Sequence, residues 1–127
     1  MGHACGRVEQ AFRAAAEQDP SLESLGRAYD AMLADRELIN VLLHGFALGG
    51  DPALGPVMRA AFGRIYQIVR ELTGAGIEEA RDFMAMGMLC TVLGGLCVIG
   101  PGAAKPEPWM ADLAGSIDLD KATLADG

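Results

Sequence analysis

An all-α bundle is the fold class this sequence predicts, and three observations predict it. Apolar residues recur at steps of three and four through most of the chain, the period of one helix face. No segment alternates strictly enough, or is rich enough in β-branched residues, to read as a strand. Glycine and Asp-Pro punctuation, as in "GGDP" and "TGAG", cuts the chain into pieces of helix length. The expected architecture is an antiparallel bundle of about five to six helices, with a helical domain over 4–99 and a loop, short helix and tail over 100–127.

The first segment, 4–18, places Val8, Ala11, Phe12 and Ala15 on one side. In "QDPS", Asp19 is expected to cap the second segment with Pro20 at its first helical position. That segment carries Leu22, Leu25, Tyr29, Met32 and Leu33 at helical steps. Asp35 is the expected cap of the third, "RELINVLLHGFAL", with Leu38, Ile39, Leu42, Leu43 and Phe46 inward. Asp51 and Pro52 are expected to begin the fourth, the most clearly amphipathic, whose apolar arc runs from Leu54 and Met58 through Phe62 and Ile65 to Val69 and Leu72. Glu78 and Glu79 open the fifth, where negative charge suits the helix dipole. Beyond it "GPGAAKPEP" interrupts any helix, "WMADLAGSI" makes one short amphipathic turn or two, and "DLDKATLADG" is expected to fray.

The 127 residues suffice for one domain with its own core, and a net charge of −7 disfavours contact with phosphate backbones. Three cysteines without paired spacing form no disulfide framework and fit a reducing, cytoplasmic setting. The N-terminal stretch "MGHACGRVEQAFRAAAEQ" does not read as a signal peptide.

The uncharged run beginning "FMAMGMLCTVLGGLC", residues 83–97, is the most informative stretch. Its length would serve a membrane span. Its glycines, Cys90, Thr91 and the following Pro101 dilute or break that reading, and no aromatic belt or basic flank anchors it. An ordinary core helix and a helix shared with a twin remain. A helix apolar all round must be covered all round, and the other helices shield only part of it, so a homodimer helix is expected. Phe83, Met86, Cys90, Leu93 and Cys97 form one ridge, and Met84, Gly87, Thr91 and Gly95, with Gly94 beside them, a smaller one that admits a close neighbour.

The order of these elements, above all "LADRELINVLLHGFA", "DPALGPVMRAAFGRIYQIV" and "RDFMAMGMLCTVLGGL", resembles the C-terminal effector and dimerisation domain of TetR-family transcriptional regulators over 8–96. The resemblance implies a chamber for a small, often apolar effector, a homodimer paired through late helices, and repression released when the effector changes the dimer's geometry. It further implies that operator DNA is met only through an N-terminal helix-turn-helix head, which this sequence does not contain. In this setting Tyr29, Met32, Met58, Phe62, Tyr66, Met84 and Met88 become candidate chamber walls. Taken singly, each is an ordinary core residue. His44 is a candidate polar contact to the effector, although a lone histidine among Leu42, Leu43 and Phe46 is more simply a core residue.

Two distant histidines without HExxH predict no metal site, no glycine loop has the setting of a phosphate cradle, and no cofactor or catalytic set is expected. The alternative to a sensor is a headless helical adaptor that dimerises and binds no small molecule.

Overall fold

The computed structural model describes residues 2–116 and is all-helical over them. Six helices follow in order: α1 (Gly2–Gln18), α2 (Leu22–Met32), α3 (Arg36–Ala47), α4 (Leu54–Thr73), α5 (Ile77–Gly95) and α6 (Pro108–Gly115). The expected frayed segment lies outside the described residues.

Local chemistry sets the helix boundaries. Ser21, not Asp19, caps α2: its side chain accepts from the Ser24 amide, and Pro20 lies outside the helix. Asp35 caps α3 by accepting from the Leu38 amide at 3.1 Å. Asp51 acts further ahead of α4 than expected, accepting from the amides of Ala53 and Leu54 at 2.8 and 2.9 Å. Gly74, in the left-handed region, ends α4. Glu79 reaches back to the Gly76 amide at the start of α5. Beyond α5, Cys97 adopts φ 60°, while the Val98 amide donates to the Leu93 carbonyl and the Cys97 amide to that of Gly94. This is a Schellman closure with cysteine where glycine usually stands.

α1 lies against α2 and α4, while α5 is cradled by α2, α3 and α4. Leu25, Leu33, Ile39, Val69 and Thr91 are fully enclosed. Leu54, expected inside, is exposed. α6 meets the core through Ala114 and leaves Trp109 and Leu113 in solvent. No helix among the described residues is long and apolar enough to cross a membrane.

Much of the ridge expected at a dimer contact is used inside the protomer. Cys90, Thr91, Leu93 and Gly94 are buried. A Cβ at Gly94 would lie 2.8 Å from Ile39 Cδ1, and one at Gly95 2.6 Å from Leu43 Cδ1. The close neighbour these glycines admit is therefore α3 of the same chain. Arg36 fastens the same junction, donating to the carbonyls of Gly94 at 2.8 Å and Gly95 at 3.3 Å. Its positive charge also suits the C-terminal end of the α5 dipole. What α5 leaves outside is Met86 of the expected ridge together with Ala85, Val92 and Leu96, with Leu89 half-buried.

Three surface carboxylates tie the bundle to pH. Hydrogen bonding to Leu38 and Arg7 holds Asp35 below its ordinary range, the amides of Leu54 and Ala53 do so for Asp51, and Arg64 does so for Glu9. Lowered folded values mean that the unfolded chain binds protons first as acid is added. Their stabilisation is full above the ordinary carboxylate range, about pH 4 to 5, and is lost as pH falls through the folded values. Thermal melts between pH 7 and 3 should show a plateau followed by an acid decline. Asp35→Asn should lower the plateau and make the decline shallower.

Candidate functional site

The bundle encloses an apolar cavity of about 130 Å³, partly open to solvent. Val8 and Phe12 of α1, with Leu22, Gly26 and Tyr29 of α2, line one side. Leu42 and Phe46 of α3, with Phe62 and Ile65 of α4, line another. α5 completes the enclosure from Phe83 and Met84 past Gly87 to Met88 and Cys90. Aromatic edges shape these walls. Phe12 meets Phe83 edge-on at 5.8 Å between centroids and Tyr29 at 6.4 Å, while Phe46 meets Phe62 edge-on at 5.6 Å.

Two of the lining residues are glycines inside helices, where alanine would be favoured by about 1 kcal/mol. A Cβ at Gly87 would meet nothing within 4 Å, and one at Gly26 would meet only Phe83, at an ordinary 3.8 Å. Close helix packing therefore does not require either glycine. Their missing side chains leave the cavity open.

Polar groups on the cavity are few. The Thr91 hydroxyl donates to the Gly87 carbonyl at 2.7 Å, leaving its oxygen to accept from the Tyr29 hydroxyl. Burial raises the Tyr29 phenol above its ordinary range. Burial, and secondarily the charge of Asp30, pushes the Cys90 thiol up to about 11. Asp30 is itself buried, lines the cavity and has an interaction partner. The site can thus hold an apolar body and orient a polar atom, while its thiol is a poor nucleophile near neutrality.

A labelling experiment checks that last point. Iodoacetamide at pH 8 should modify half-buried Cys97 before buried Cys5 and Cys90, whose thiols are both raised by burial. Peptide mass mapping over time reads the order, and early labelling of Cys90 would contradict the enclosure.

Of the candidate chamber residues, Tyr29, Phe62, Met84 and Met88 line the cavity. Met58 is buried and instead lines a separate outer groove with Arg59 and Gly63, while Met32 is half-buried against the core. Tyr66 is half-buried and His44 exposed, and neither lines these spaces. His44 fails as a wall residue and as a core residue for one reason. Residues two apart on a helix point to different sides, and Leu42 is the one turned inward.

Phe83, Met86, Gly87 and Cys90, expected at a dimer contact, line the cavity, although Met86 also remains exposed. Cys97 is half-buried beyond the end of α5. Sequence reasoning missed Val8, Phe12, Leu22, Gly26, Asp30, Leu42, Phe46 and Ile65 as lining residues. Gly26 and Gly87 are helix-interior glycines, but so are Gly6, Gly45, Gly55, Gly63 and Gly94, so the sequence alone does not single out the two on the wall.

No family profile, curated protein or solved structure matches the chain.

Proposed function

We propose that this chain is a sensor domain that holds a small apolar molecule in the cavity between α1 and α5, and that it serves as the effector-binding and dimerisation half of a TetR-like regulator. The observation carrying the ligand reading is the pair of helix-interior glycines on the cavity wall, at positions where no neighbour forbids a side chain. An apolar cavity of about 150 Å³ accepts a benzene-sized guest, so about 130 Å³ calls for a body of similar size. Tyr29 supplies one oriented hydroxyl at the wall. In the regulator, a guest favours whichever dimer arrangement binds it more tightly, and an N-terminal head would read that arrangement as operator affinity.

The dimerisation part of the reading is supported by the outward strip of α5, chiefly Val92 and Leu96, with Trp109 and Leu113 of α6 as further exposed apolar surface. This strip replaces Cys90, Thr91, Leu93 and Gly94 as the proposed contact.

Thermal shift with benzene, indole and small aryl alcohols tests the sensor. At 100 times its dissociation constant a guest adds about 2.7 kcal/mol of stability, a shift of several degrees. A flat response across the panel favours the adaptor alternative. Light scattering tests the contact: Leu96→Asp should halve the mass of a wild-type dimer, while a wild-type monomer at micromolar concentration would remove dimerisation from the proposal.

A further inference from the structure

From the arrangement of the two hollows, we infer that the preferred guest is an amphipathic anion, a carboxylate with an apolar body of roughly six carbons, whose head is held by Arg59 outside the cavity. The inference rests on the cavity being a ligand site and specifies the class of ligand. Phe46 and Phe62 line both the cavity and the outer groove, so their edge-on pair is the partition between the two spaces. Both rings are half-buried. Gly63, on the groove side, has nothing within 4 Å of its Cβ position, so the groove is uncrowded there. Arg59 lies one turn before Phe62 and Gly63 on α4 and lines the groove.

The charges give the guest a direction. Arg7, Arg13, Arg27, Arg64 and Arg81 are all ion-paired. Among the described residues the arginines without a carboxylate partner are Arg36, Arg59 and Arg70, and of these Arg59 lines the groove; its Nη1 donates to the Gly49 carbonyl at 3.0 Å, leaving other guanidinium donors for an anion. At the cavity end, Asp30 opposes a second negative charge and already has a partner. The head of an anion therefore belongs at Arg59 and its apolar body behind the two rings.

Calorimetric titration of the full chain with hexanoate, 1-hexanol and hexylamine at pH 7 tests this. Hexanoate should bind tightest. Arg59→Gln should weaken hexanoate about tenfold, the scale of one charged hydrogen bond, and leave hexanol unchanged, which also reports an intact cavity. Arg59→Lys should restore most of the loss. Equal binding of hexanol and hexanoate, with Arg59→Gln affecting neither, would overturn the head-group assignment while keeping the cavity as a site. Preference for hexylamine would overturn it in favour of Asp30. Silence from all three would also overturn it, with the benzene and indole panel deciding separately whether the cavity binds anything.

Discussion

Gly55→Ala should lower the stability of the fold by about 2 to 3 kcal/mol, moving the melting temperature down by roughly 10 °C. Gly55 stands in the first turn of α4, directly beneath the turn that follows α3. A Cβ there would lie 2.3 Å from the Gly49 carbonyl oxygen and 3.1 Å from Arg59 Nη1. The obstacle is backbone, and the Gly49 carbonyl already accepts from Arg59. Relief therefore requires moving the α3–α4 turn, whereas at Gly94 and Gly95 only the tips of Ile39 and Leu43 must yield. Gly63→Ala is the matched control. In the same helix, with nothing within 4 Å of its Cβ position, it should gain about 0.5 to 1 kcal/mol through helix propensity alone. Urea midpoints of the two variants should move in opposite directions. An unchanged midpoint for Gly55→Ala would contradict the close approach of Gly49.

The helix order was legible because several boundaries are written in local chemistry. Asp35 and Gly74 stop or start helices through their own atoms, and the one-sided pattern of α4 orients it. "DPS" misled because Asp19 and Ser21 can both cap; the choice depends on which side chain faces the Ser24 amide. The orientation of α5 was not legible. It is the least one-sided of the long helices, so its pattern does not tell which face its neighbours cover. Packing by α2, α3 and α4 decides this, turning Cys90, Thr91 and Leu93 inward and leaving Val92 and Leu96 outside. The cavity was half legible. Bulky candidates such as Tyr29 and Phe62 do line it, but an empty volume arises where five helices fail to fill a shared space. The atoms missing from Gly26 and Gly87 contribute to it, but equally open helix glycines such as Gly63 stand elsewhere, so the sequence does not point to the wall.

Gly87→Leu should abolish binding of any guest that the cavity accepts, while Gly87→Ala should raise stability by about 1 kcal/mol and weaken binding several-fold. The opposite signs follow from one geometry. Gly87 is a turn away from Phe83 and Met84 on one side and from Cys90 and Thr91 on the other, all on the inward face of α5. A methyl there enters space in which nothing stands within 4 Å, so it removes a helix-interior glycine and buries apolar surface without a clash. The same methyl occupies room the guest needs, and a leucine adds four carbons to a volume suited to about six. A glycine present only for helix packing would behave otherwise, since alanine would then destabilise the fold as Gly55→Ala is expected to do. Denaturant melts give the first sign and titration with a guest gives the second. If Gly87→Leu bound as wild type does, the glycine wall would not mark the binding volume, and the ligand reading would lose the observation that carries it.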